Sequence, residues 1–122
     1  MKKVLVVEDE AALRSALCDA LRDEGITVLE ASNGEEALQL LRTEEPDLML
    51  LDNLMPVMDG ASTLQAMKDD DSLPRCRVIM LTNLNEIEAL NESLVGGATD
   101  YLIKSDTGLD EVVKIVQGCF SE

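Results

Sequence analysis

The chain is 122 residues long and carries 25 acidic against 10 basic side chains, a formal net charge of −15, with no His, no Trp, one Tyr and one Phe. So acidic a chain repels phosphate backbones and anionic lipid surfaces, and so few aromatic rings cannot build a base-stacking platform. The absence of His excludes an imidazole base, a zinc-binding His and a phosphohistidine carried on this chain, so its chemistry must run on carboxylates.

A hydrophobic fraction of 46% suits one compact domain over residues 1–122, because a disordered acidic tail would be much poorer in Leu, Ile and Val. Met1-Lys2-Lys3 leads into Val4–Val7, an apolar run too short for a signal-peptide core and followed at once by Glu8-Asp9-Glu10. A cytoplasmic protein that spans no membrane is expected. Val4–Val7 lacks the polar alternation of a strand with one wet face, so it is predicted as a strand covered on both sides. Leu13, Leu17 and Leu21 then follow helical spacing, with Gly25 placed to end that helix in a left-handed cap.

A weaker strand is predicted at Thr27–Glu30. A second helix on Ala37, Leu38 and Leu41 follows, capped by Ser32 or Asn33, and Pro46 closes the connection to a buried strand at Leu48–Leu51. The third helix runs through Leu64 and Met67, and the acidic run Asp69-Asp70-Asp71 reads as a solvated loop. Val78–Leu81 is a further buried strand. Ile87, Leu90 and Leu94 mark a fourth helix ended by Gly96-Gly97, Asp100–Ile103 a fifth strand, and Leu109, Val112, Val113, Val116 and Phe120 the last helix. Such alternation implies an α/β fold, a doubly wound parallel sheet with right-handed crossovers. Cys18, Cys76 and Cys119 form no C-x-x-C pair and read as buried thiols in a reducing compartment.

In an open parallel sheet, ligands bind beyond the carboxyl ends of the strands, where the loops diverge. The residues placed there are Glu8 and Asp9 after the first strand, Asp52 after the third, Thr82 after the fourth and Lys104 after the fifth. Three converging carboxylates repel one another unless a cation offsets the charge, and hard oxygen donors in that number suit Mg²⁺. A lysine facing a metal clamps a multi-oxygen anion from two sides, the arrangement that phosphoryl transfer needs. An Asp there can attack phosphorus and hold an acyl phosphate, and Asp52 is the candidate. Taken singly, each residue has a plainer reading: Glu8 and Asp9 as helix-capping acids, Thr82 as a strand-end hydroxyl, Lys104 as a surface cation. Asp52 is harder to dismiss, because a carboxylate ending so apolar a run needs a partner.

The order and spacing of these fragments resemble the receiver domain of two-component response regulators from Lys3 to about Cys119. The likeness rests on Val-Val-Glu8-Asp9-Glu10, on Asp52-Asn-Leu-Met55-Pro56-Val-Met58-Asp59-Gly60, on Thr82, and on Gly97-Ala98-Thr99-Asp100-Tyr101-Leu102-Ile103-Lys104. It implies a flavodoxin-like sheet of order 2-1-3-4-5 with five helices. It also implies a phosphoryl group accepted on Asp52 from a histidine kinase or His-phosphotransfer protein. Mg²⁺ would be bound by Asp9 and Asp52, by Glu8 through water, and by the Leu54 main-chain carbonyl. Thr82 and Lys104 would bind phosphoryl oxygens. Thr82 and Tyr101 would form a switch that alters the face made by the fourth helix, fifth strand and fifth helix, where a downstream protein would dock.

Two positions depart from the family's pattern. Asn83 stands where a small residue is usual and is expected to alter phosphorylation or hydrolysis rates; Ser105 stands where Pro is usual, so a strained cis bond or a rearranged loop to Gly108 is expected. Apolar Leu54 and Leu84 are expected to shield the acyl phosphate from water. The domain is expected to be no enzyme beyond its own phosphorylation and dephosphorylation. A phosphatase with an Asp nucleophile would need a second acid two residues on, where Leu54 stands, and a receiver-like module that takes no phosphate is the remaining alternative. The sequence ends near the last helix, which is expected to mean a stand-alone or excised receiver. Glu86, Glu88, Glu92, Asp110 and Glu111 oppose Lys114 alone on the output face, so a monomer is expected.

Overall fold

The computed structural model describes residues 2–52, 57–74, 76–82, 100–103 and 107–120. Five strands, β1 (Lys3–Val7), β2 (Thr27–Ala31), β3 (Leu48–Asp52), β4 (Arg77–Thr82) and β5 (Asp100–Ile103), form one parallel sheet of order β2-β1-β3-β4-β5. Four helices are described: α1 (Ala11–Asp23), α2 (Gly34–Glu44), α3 (Gly60–Asp69) and a last helix, Leu109–Phe120. The predicted helix on Ile87, Leu90 and Leu94, with Gly96-Gly97, lies outside the described residues.

The continuous apolar runs follow from burial on both faces. Val4, Val6, Leu48, Leu50, Ile79 and Leu81 pack with Leu17, Cys18 and Leu21 of α1 and with Val112 and Val116 of the last helix. The alternate residues Leu5, Val7, Met49, Leu51, Val78 and Met80 pack with Ala37 and Leu41 of α2 and Leu64 of α3. Each such side chain contributes roughly 1.5–3 kcal/mol through burial, so any polar replacement in these rows faces an apolar layer on one side or the other.

Local chemistry sets the helix ends. Gly25 adopts φ 80 just past α1, and its N–H donates to the Arg22 carbonyl. Asn33 caps α2 by accepting from the Glu36 N–H at 2.9 Å, while the Glu36 carboxylate accepts from the Ser32 N–H and hydroxyl. That closed loop of bonds is a capping box displaced by one residue, and the Ser32 hydroxyl holds the Glu36 carboxyl below the usual carboxylate range.

Two expectations need correction. The acidic run is no simple solvated loop, because α3 extends through Asp69 and Asp70 is its C-cap. Asp70 is held by Ser72 and by Arg42 of α2 at 2.9 Å, and both depress its carboxyl pKa. Of the three thiols, Cys18 is buried, whereas Cys76 and Cys119 are half-buried; Cys76 precedes the apolar part of β4, and Cys119 packs at the margin of the α1 layer.

Candidate metal and phosphoacceptor site

β1 and β3 are neighbours at the centre of the sheet, with Val7 beside Leu51. After β1 the chain turns into α1 on one face, and the first helix after β3 is α3 on the other. The crevice at this switch in direction is where open parallel sheets bind ligands.

Glu8 and Asp9 follow β1 directly, and Asp52 is the last residue of β3. One carboxylate oxygen from each of the three lies within 4.8 Å of the others. Glu8 and Asp52 are buried, at 1% and 4% exposure, while Asp9 is exposed. Glu8 is held through its main chain, its N–H donating to the Ala31 carbonyl at 3.0 Å, and its carboxylate accepts from the Glu10 N–H at 3.4 Å. The N-cap of α1 is Glu10, which makes no side-chain cap bond, and Glu8 and Asp9 stand just before it, with the Glu8 carboxylate on the Glu10 N–H.

Thr82 ends β4 and is 1% exposed. Asp52 pairs in register with Leu81, which places Thr82 one residue beyond the acidic cluster on the adjacent strand. Thr82 in turn pairs with Ile103, the last residue of β5. Tyr101 is placed on β5 beside Met80, and its side chain lies outside the described part of the chain. Leu54, Met55, Pro56, Asn83, Leu84, Glu86, Glu88, Glu92, Lys104 and Ser105 also lie outside the described residues.

Three anionic oxygen donors at this spacing fit a hard divalent cation. They are the one group of potential metal-ligating side chains found among the described residues. Repulsion between two of the carboxylates at 4.8 Å is about 0.9 kcal/mol at the dielectric constant of water and about 3.5 kcal/mol at an effective value of about 20. A cation between them turns that cost into attraction.

Three features around the site have no local signal in the sequence. Arg14, on α1, donates to the Glu8 carbonyl at 2.8 Å. Gly34 begins α2 with its N–H on the Met58 carbonyl, and a Cβ there would lie 1.9 Å from the Thr63 hydroxyl oxygen. Val57 is 75% exposed with φ 68, a left-handed conformation that costs a residue bearing a Cβ about 1–2 kcal/mol. The Asp59 side chain caps α3 by accepting from the Ser62 N–H at 2.7 Å.

Sheet order and acidic crevice together define a flavodoxin-like α/β domain with a candidate cation site at its topological switch point. A family model described as the response regulator receiver domain matches residues 4–117, and the chain belongs to that family. It is 42% identical over 103 residues to the probable transcriptional regulator ycf27 of Guillardia theta, covering 84% of this chain and 39% of that protein. It is also 37% identical over 103 residues to sporulation initiation phosphotransferase F of Bacillus subtilis, covering 84% of this chain and 82% of that one. The Francisella response regulator 1452 receiver domain superposes with a TM-score of 0.85 at 31% identity, covering 98% of this chain and 97% of that one. The chain thus spans about two-fifths of the ycf27 relatives it matches. No helix among the described residues is long and apolar enough to cross a membrane.

Proposed function

We propose that the chain is a phosphorylation-controlled signalling switch in the cytoplasm. In this reading Asp52 takes a phosphoryl group from a phosphohistidine on a histidine kinase or His-phosphotransfer protein. The observation that carries it is the gathering of the Glu8, Asp9 and Asp52 carboxylate oxygens within 4.8 Å at the end of the central strands. Membership of the receiver family and similarity to a protein named as a phosphotransferase support it.

An Asp52 carboxylate oxygen forms the new O–P bond as the P–N bond to the donor imidazole breaks, and the released electron pair stays on the imidazole nitrogen. Glu8 (through water), Asp9, Asp52 and the Leu54 main-chain carbonyl would hold Mg²⁺, and the bound ion would supply charge neutralisation for the phosphoryl oxygens. The Thr82 hydroxyl donates to one phosphoryl oxygen and the Lys104 ammonium pairs with another. These residues catalyse only the chain's own phosphorylation and dephosphorylation.

Contacts available only to the phosphorylated form bias a two-state equilibrium. Thr82 moves toward the phosphoryl group, Tyr101 turns inward, and the surface around β5 and the last helix changes for a downstream protein. The chain acts as a monomer and makes no nucleic-acid contact of its own.

Intact-mass measurement after incubation with acetyl phosphate and Mg²⁺ tests the central step. Wild type should gain one phosphoryl group and Asp52→Asn none, with EDTA abolishing the gain. An unmodified wild type, or an equally modified variant, would replace this reading with a receiver-like module that takes no phosphate or takes it elsewhere.

A further inference from the structure

The geometry points to Arg14 as a positioning residue for the metal site, acting on Asp9 through the Glu8 carbonyl. This rests on the reading of Glu8, Asp9 and Asp52 as the cation-binding set. Arg14 lies on α1, and its side chain is 21% exposed. Its Nη1 donates to the Glu8 carbonyl at 2.8 Å, and its Nε donates to Glu30 Oε1 on β2 at 3.3 Å. Glu30 is held in turn by Arg22 at 3.3 Å. The guanidinium thus serves both partners at once through separate nitrogens, and its bond to the carbonyl does not depend on the charge of Glu30.

Glu8 is consequently fixed from two elements: β2 accepts its N–H through the Ala31 carbonyl, and α1 supplies the donor to its own carbonyl. The Glu8 carbonyl belongs to the same rigid peptide plane as the Asp9 nitrogen and Cα. Holding that oxygen fixes the plane, and with it the point from which the Asp9 carboxylate starts. Glu8 and Asp52 are buried and located by packing, whereas Asp9 is exposed. The ligand with the least packing around it is thus the one whose peptide plane is tied down. Partners hydrogen-bonded to ligating side chains typically change metal affinity by about 10–100-fold when removed, and a bond one peptide plane away from the ligand belongs at the low end of that range.

The sign of the effect separates positioning from simple electrostatics. A guanidinium near the cluster repels a cation, so loss of its charge alone would tighten Mg²⁺ binding. Loss of positioning would weaken it. Mg²⁺ titration by calorimetry on the full chain decides between them, with urea unfolding in EDTA to confirm that each variant is folded. Arg14→Ala should weaken Mg²⁺ binding about ten-fold. Glu30→Gln, which leaves the Arg14 bond to the Glu8 carbonyl in place, should stay within about two-fold of wild type. Arg14→Ala should add less than about two-fold to the loss caused by Asp9→Asn, since both act through one ligand. Unchanged or tighter binding in Arg14→Ala overturns the inference, as does an equal loss in Glu30→Gln or full additivity with Asp9→Asn. Failure of the wild type to bind Mg²⁺ overturns the reading of the site itself, and this inference with it.

Discussion

Asp9→Asn should stabilise the metal-free protein and destabilise the Mg²⁺-loaded protein relative to wild type. Asp9 faces two carboxylates, Glu8 and Asp52, with oxygens no more than 4.8 Å away. Because Asp9 is exposed, the water end of the Coulomb range applies, about 0.9 kcal/mol for each of the two pairs. Glu8 and Asp9 remain chain neighbours after unfolding and keep part of their repulsion, so the net gain should be about 1 kcal/mol. Urea unfolding in EDTA at low salt reads this as a midpoint raised by about 0.5 M for a slope of about 2 kcal/mol/M. The gain should shrink as salt screens the exposed charge. Mg²⁺ at about one hundred times its dissociation constant should then stabilise wild type by about 2.7 kcal/mol. The variant has lost an anionic ligand and should gain far less, so the order of stabilities reverses. A variant no more stable than wild type in EDTA, or one that Mg²⁺ stabilises equally, refutes the view that these carboxylates form a strained cation site.

Gly34→Ala would drive a Cβ to within 1.9 Å of the Thr63 hydroxyl oxygen, itself donating to the Asp59 carbonyl, and to 3.0 Å from Met58. Overpacking of this kind costs about 1–3 kcal/mol, read as a lowered urea midpoint that a Thr63→Ala background partly restores; an unchanged midpoint would contradict the contact. Burial pushes the Cys18 thiol up to about 11 and the Cys76 thiol up to about 12, from an ordinary value of 9.0. Both should alkylate slowly at pH 8 in the native protein and readily in urea. Because the folded values are raised, the stability these thiols contribute is fully present below pH 9.0 and lost as pH rises toward 11 and 12. The wild-type urea midpoint should fall from pH 8.5 to pH 10.5 more than that of a variant lacking both cysteines, and a fall no larger than the variant's would refute the assignment.

Much of the architecture was legible because its causes are local. Continuous runs such as Leu48–Leu51 announce a strand with no wet face, and only a sheet covered on both sides supplies that environment. Gly25 and Asn33 mark helix ends because the backbone there demands a left-handed turn or a side-chain acceptor. Glu8, Asp9 and Asp52 were found for a related reason: polar residues directly after apolar strands must emerge at one edge. What escaped was set by distance in sequence. Nothing around Gly34 foretells that Thr63 will leave no room for a side chain. Arg14 looks like an ordinary surface cation on α1 until the fold brings Glu30 and the Glu8 carbonyl to it. The half-buried state of Cys76 and Cys119 depends on how far each helix layer extends over the sheet edge, which periodicity does not encode.

The net charge of −15 divides along the same line. Four of the described basic side chains pair with acids: Lys3 with Glu44, Arg14 and Arg22 both with Glu30, and Arg42 with Asp70. All four pairs lie where solvent screens them, so each contributes at most about 1 kcal/mol. The Glu8, Asp9 and Asp52 cluster differs in kind, because two of its three members are buried and their charges are screened least. Arg14 reaches this region through a main-chain carbonyl, with Nη1 on the Glu8 carbonyl and Nε on Glu30, and so ties the chain after β1 to α1 and β2. A guanidinium engaged on the carbonyl and on Glu30 acts on the stretch of chain that carries the acids and not on their charge, so under the proposed function its contribution to cation binding is one of position.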